Sequence, residues 1–193
     1  MDDSTLIAQV LAGNAHAHRY LVDRHKNLVW HMVLRMTNLQ EDAEDLCQEI
    51  FFRVFRDLKN FRGESKLSTW IGAIAYKSCI SHLRKKGKEI LVPVGDYTPV
   101  LRGKASPEQT DQYLDRTSMK KLIHRTIATL PVHYRTVITL FYLEELSYRE
   151  IEEITGMPGG TVKSYLNRGR HLLREMLLCR VPDLHHEPIP VET

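Results

Sequence analysis

The strict two-residue alternation that marks a half-buried strand is hard to find in this chain outside its middle, so a sheet is not expected to organise the fold. Cysteine is sparse: Cys47, Cys79 and Cys179 are odd in number, widely spaced and without a C-x-x-C pair, which argues against a disulfide framework and against a zinc site. The signatures of phosphate-loop nucleotidases, zinc proteases and serine hydrolases (G-x-x-x-x-G-K-[ST], H-E-x-x-H and G-x-S-x-G) are all missing. The ten histidines form no ligand set, so neither a metal, a cofactor nor an enzymatic activity is expected. No run approaches the roughly 18 apolar residues of a membrane span. The opening MDDSTLIAQVLAG is acidic and lacks the apolar stretch of a signal peptide, so the chain is expected to stay in the cytoplasm. Net charge is also small, +3 from 27 basic and 24 acidic residues, so an anionic partner must be met by a local cluster.

What the chain does have is helical periodicity, and the fold class it predicts is all-α: two small helical domains joined by a flexible linker, the second ending in a helix-turn-helix. The clearest stripe is Ala43, Leu46, Cys47, Ile50, Phe51, Val54, Phe55 and Leu58, which leaves Asp42, Asp45, Gln48, Glu49 and Arg53 outside. A second amphipathic helix is expected after Ser68 as N-cap and ends on Arg84, Lys85 and Lys86. These elements, with two earlier helical stretches, define a first domain over 1–88. Pro93, Gly95, Pro99 and Gly103 break up 89–105, read as a linker. A second domain over 106–180 opens at Ser106-Pro107 with an N-cap and a helix-compatible proline, and the proline-rich 181–193 reads as a mobile tail.

Within that second domain, Ser147-Tyr148-Arg149-Glu150 has the spacing of a capping box, and Gly156 suits the left-handed end of a short helix. A new helix is expected near Pro158, burying Val162, Leu166 and Leu173 around a turn filled by Met157. Its other face presents Thr161, Lys163, Ser164, Asn167, Arg168 and Arg170, donors suited to phosphates and base edges in a major groove. Gly159 and Gly160 would let the helix start approach DNA closely. A helical hairpin whose arginines only confer solubility would not need caps, turn, spacing and charge to agree in this way.

The stretch TLPVHYRTVITLFYLEELSYREIEEITGMPGGTVKSYLNRGRHLL resembles region four of bacterial RNA polymerase sigma factors. DAEDLCQEIFFRVF followed by FRGESKLSTWIGAIAYKSCISHLRKK resembles region two of their extracytoplasmic-function group. The resemblance implies a non-catalytic subunit that docks on core RNA polymerase and directs it to promoter DNA, usually under an anti-sigma factor, without membrane insertion. It assigns the helix carrying Lys163, Ser164, Asn167 and Arg168 to the minus-thirty-five element, and Asp42, Asp45, Gln48, Glu49 and Arg53 to polymerase. It assigns Phe61, Arg62, Gly63, Glu64, Ser65 and Lys66 to capture of a flipped minus-ten base, beside Trp70, Lys77, Ser81, Arg84 and Lys85. Lys77 and Ser81 stand where the family often has asparagine and aspartate, and Glu152 where a small residue is more usual. The alternative is a helix-turn-helix regulator whose first domain senses a ligand or dimerises, which would not need an aromatic-containing FRGES loop followed by a basic helix.

Overall fold

A computed structural model describes residues 1–37, 40–87 and 116–180, with side chains at 40–42 and 116–118 outside that description. The linker at 89–105, the helix start at Ser106 and the tail at 181–193 also lie outside the described residues. Among the described residues the chain is helical, with no strand, in the order α1 Asp3–Leu11, α2 Ala15–Thr37, α3 Gln40–Asp57, α4 Leu67–Lys85, α5 Arg116–Thr129, α6 Val132–Ile138, α7 Tyr148–Thr155 and α8 Gly159–Leu178. No helix there is long and apolar enough to cross a membrane.

Local chemistry explains most boundaries. Asp2 caps α1 by accepting the Thr5 N–H at 2.9 Å, and Asn14 accepts the N–H groups of His16 and Ala17 at the start of α2. The expected cap at Ser68 is displaced: α4 begins at Leu67, with Lys66 at the cap position and no side-chain cap of its own. A carboxylate from another helix does that work, since Asp3 Oδ2 of α1 accepts the Leu67 N–H at 3.3 Å, and Asp3 also pairs with Arg24 of α2 at 2.8 Å. The break expected at Glu144 to Leu146 is present, where the end of α6 widens into a π-type turn over Thr139–Leu143 and Glu145 adopts φ +53°.

α2, 23 residues long, is the axis of the first group, packed by α1, α3 and α4 through Leu21, Leu28, Val29, Met32, Val33 and Met36. The stripe is buried at Ala43, Leu46, Ile50 and Val54 of α3 and at Leu58 in the turn that follows, and half-buried at Cys47, Phe51 and Phe55. In the second group α8 lies across α6, α7 and α5, and Gly169 allows the approach: a methyl there would lie 2.8 Å from Ile138 Cδ1 and 3.2 Å from Tyr134 Cβ.

The two groups are packed on one another. α7 lies on α4, where a methyl at Gly72 would fall 2.8 Å from Ile154 Cδ1, and α6 lies on α2. Arg135, 7% exposed, donates to the carbonyls of Ala128 and Leu130 in its own group and, at 3.0 Å, to the Met36 carbonyl near the end of α2. Burial pulls this guanidinium down to about 10, and the last-turn carbonyl at the negative end of α2 is a fitting acceptor for it. Lys66 Nζ meets Glu150 Oε1 at 2.8 Å, His31 Nδ1 meets Glu144 Oε1 at 2.5 Å, and Arg35 donates to the carbonyl and the ring nitrogen of His124.

Candidate nucleic-acid interface

The helix-turn-helix forms as its chemistry dictates. Ser147 accepts the Glu150 N–H, and Glu150 Oε2 accepts the Ser147 N–H at 2.9 Å and its hydroxyl at 2.7 Å, closing the capping box. Gly156 ends α7 at φ +70°, and its N–H donates to the Glu152 carbonyl at 2.7 Å. Met157 is half-buried in the turn against the core. On α8 the buried side is Val162, Tyr165, Leu166 and Gly169, with Leu173 only partly covered. Tyr165 belongs to the core rather than to either polar set, meeting Tyr134 edge-on at 5.3 Å between ring centroids.

The remaining arc of α8 carries Lys163 and Asn167, both exposed, with Ser164, Arg168 and Thr161 half-buried beside them, and exposed Arg170 on its flank. At 100° per residue Lys163, Asn167, Ser164 and Arg168 share one side, away from Val162 and Leu166. Arg170 Nη2 donates to Asn167 Oδ1 at 2.9 Å, which engages the amide oxygen.

At the helix start the two glycines divide their work. A methyl at Gly160 would meet nothing within 4 Å, so that approach is open. A methyl at Gly159 would lie 2.4 Å from Glu152 Oε1: the carboxylate of this unusual residue rests on the first residue of α8. Pro158 brings no side-chain cap there, so a negative group is favoured by the uncapped N–H groups and the positive helix end.

The second cluster is built around the start of α4. Phe61 and Trp70 pack edge-to-face at 5.4 Å between centroids, both half-buried. Between them Arg62, Gly63, Glu64 and Lys66 are exposed and Ser65 half-buried, and Gly63 turns the loop at φ +73°. Trp70, Lys77, Ser81 and Arg84 recur at intervals of seven, four and three along one side of α4, with Lys85 exposed next to Arg84. Tyr76, Lys77, Ile80, Ser81 and Arg84 line a shallow depression of about 240 Å³. Gly72, which receives α7, is on the other side of α4, so the seam leaves this face open.

On α3, Asp45, Gln48 and Glu49 are exposed, and half-buried Arg53 pairs with Glu49 at 2.5 Å; the side chain of Asp42 lies outside the described residues. Phe52, absent from the expected set, is 71% exposed on the same side. The signal was available, because Phe52 is two residues from both Ile50 and Val54 and so faces away from the stripe they define.

Comparison with known proteins connects these clusters. The sigma-70 region 2 family matches residues 21–89 and the sigma-70 region 4 family matches residues 120–173. The chain is 34% identical over 179 residues to the ECF RNA polymerase sigma factor SigW of Bacillus subtilis, covering 89% of this chain and 94% of that protein. It is 31% identical to the ECF RNA polymerase sigma-E factor of Haemophilus influenzae, with 92% and 96% covered. Among solved structures, CnrH in complex with the cytosolic domain of CnrY aligns with TM-score 0.64 at 20% identity over 91% of this chain and 96% of that one. The sigma factor RpoE in complex with the anti-sigma factor NepR, from Bartonella quintana, aligns with TM-score 0.62 at 22% identity over 82% and 95%, and both show the likeness of fold. With matches to both regions in order and relatives of this identity along nearly its whole length, the chain belongs to the extracytoplasmic-function group of RNA polymerase sigma factors.

Proposed function

We propose that the chain works as a cytoplasmic initiation factor in which 1–88 and 106–180 act as separate recognition domains and the chemistry of RNA synthesis is left to core polymerase. The observation that carries this reading is the presence, in one chain, of a helix-turn-helix whose first helix is closed by a capping box and a left-handed glycine, with Lys163, Asn167 and Arg170 exposed, and an aromatic-basic face running from Phe61 to Arg84. The first is suited to duplex DNA, with Lys163, Ser164, Asn167 and Arg168 aimed at minus-thirty-five base edges and Thr161 and Arg170 at the flanking backbone. The second is suited to unpaired DNA, with flat rings at Phe61 and Trp70, polar loop groups from Arg62 to Lys66, and cations at Lys77, Arg84 and Lys85 for phosphates. Asp45, Gln48, Glu49 and Arg53 contact polymerase.

Spacing makes opening part of the mechanism. Elements about 25 base pairs apart lie roughly 85 Å apart along a duplex at 3.4 Å per step. Lys66 of one cluster is 2.8 Å from Glu150 of the other domain's capping box, so the two domains must separate before both elements are read. An anti-sigma factor is the proposed inhibitor, in keeping with the solved relative of like fold that is held by one.

The test is reconstituted transcription. Full-length protein added to core polymerase on a genomic library should yield a defined set of transcript starts that core alone does not produce. Starts independent of the added protein would overturn the reading.

A further inference from the structure

α3 carries three phenylalanines, and only two of them pack. Phe51 and Phe55 are half-buried against the core, Phe55 with its ring 4.9 Å from that of His18. Phe52 is 71% exposed, the most exposed large apolar side chain among the described residues. At 100° per residue it points directly away from Ala43, Ile50 and Val54, all fully buried, so rotation of the side chain cannot return it to the interior. Asp45, Glu49, Phe52 and Arg56 fall within about 60° of one another along roughly 16 Å of helix, with Gln48 at their side.

We propose that Phe52 is the apolar anchor by which α3 seats on core RNA polymerase, entering an apolar pocket whose rim is basic. This rests on the reading of α3 as the polymerase-facing helix and adds the residue that makes the contact tight. Carboxylates alone make a poor anchor, because exposed ion pairs contribute little. Binding energy at protein interfaces concentrates in a few aromatic or arginine side chains ringed by polar ones. The arrangement on α3 has that form, with one aromatic ring, Asp45, Gln48 and Glu49 exposed around it, and Arg56 one turn on paired with Asp57 at 2.8 Å. The 18-residue helix, packed along its other side, holds the ring without a loop to order on binding. A second copy of this chain fits the face less well. Among the described residues the other exposed large apolar side chains, Met1, Leu11, Tyr20, Tyr142, Leu143 and Tyr148, lie outside α3. One ring with a charged rim falls far short of the roughly 1,200 Å² that a stable dimer buries.

The experiment measures the affinity of the full-length chain for core polymerase, with Phe52→Ala and Phe52→Leu beside the unsubstituted protein. Phe52→Ala should weaken binding about tenfold or more and Phe52→Leu by less, while thermal unfolding stays unchanged because the ring has no place in the core. Equal affinity for all three would overturn the proposal, as would a sedimentation mass that falls on Phe52→Ala, which would make the ring a self-association contact. If the unsubstituted chain itself failed to bind core polymerase, the polymerase reading of α3 would fall with it. Tight binding of the unsubstituted chain and of Phe52→Ala alike would remove only the role of Phe52.

Discussion

Gly72→Ala separates the stability of α4 from the closure of the two domains, because the substitution acts on them with opposite signs. Inside the 19-residue α4, replacing glycine by alanine favours the helix by about 1 kcal/mol. The added methyl would sit 2.8 Å from Ile154 Cδ1 and 3.0 Å from Cγ1, well inside the 3.5–4.0 Å at which carbon atoms attract. Ile154 is 1% exposed, so it has little room to turn aside, and overpacking of this kind costs about 1–3 kcal/mol. That cost falls on the closed arrangement alone. At about 1.4 kcal/mol the ratio of open to closed molecules rises tenfold, and where closed molecules predominate the apparent affinity for core polymerase tightens by the same factor. Small-angle scattering should report a larger radius of gyration, with helix melting unchanged or raised. Ile154→Val on the same background removes the nearest clashing atom and should restore the smaller radius. An unchanged radius and an unchanged polymerase Kd in Gly72→Ala would refute the reasoning.

Glu152→Gln should cost about 0.3–1 kcal/mol of stability by removing a carboxylate from the start of α8, yet tighten promoter binding by holoenzyme severalfold at low salt, where a phosphate no longer meets like charge. The gain should vanish near 1 M salt, and a gain independent of salt would contradict it. Glu145→Gly relieves a non-glycine residue at φ +53° and should raise the urea midpoint by about 0.5–1 kcal/mol equivalent; a loss would mean the Glu145 side chain matters more than its backbone. His25 is buried with Nε2 unpartnered, and burial pulls the ring down to about 4. The unfolded chain therefore binds the extra proton as pH falls from about 6.5 to about 4, so about 1–2 kcal/mol of stability present at neutral pH is lost across that window, and His25→Leu should flatten the decline. A thiol reagent at pH 8 should modify Cys179 alone in the native protein, since Cys79 is fully buried with its thiol pushed far up and burial raises Cys47 to about 11; fast reaction of a second thiol would count against the packing.

The parts legible in the sequence are those set by local chemistry. The capping box at Ser147, the left-handed end at Gly156 and the α3 stripe each depend on residues within about seven positions, and each appears where spacing placed it. The cap of α4 did not follow from local rules, because the acceptor for the Leu67 N–H comes from Asp3, sixty-four residues away. Tyr165 was equally hidden. A tyrosine beside Ser164 and Leu166 fits either side of α8, and only the ring of Tyr134 and the close passage at Gly169 turn it inward. Arg135 reads as one more surface cation until α2 supplies the Met36 carbonyl. The positions that resisted were those whose partner comes from another helix.

Glu150 and Glu152 give the seam a meaning for DNA binding that burial alone does not. Both leave the eight-residue α7, one toward the loop before α4 and the other toward the start of α8. Lys66, which the proposed function would use near the minus-ten strand, is held by Glu150, and the Glu152 carboxylate lies beside Gly159, the first residue of the helix that would receive a minus-thirty-five phosphate. On the proposed function Glu150 occupies a cation that promoter phosphate would take, and Glu152 sets a negative charge where a second phosphate would approach, so DNA would meet the chain's own acids as well as the closed seam. Lys66 is itself exposed, so water and salt screen its pair with Glu150 and a DNA phosphate can displace it. Polymerase can tip it by favouring the open arrangement alone, since separation of α7 from α4 frees Lys66 in the same movement, whereas Glu152 stays with α8 inside the same domain. On the proposed function the minus-ten contacts would thus be coupled to opening, whereas α8 would keep its acidic neighbour Glu152 in either arrangement.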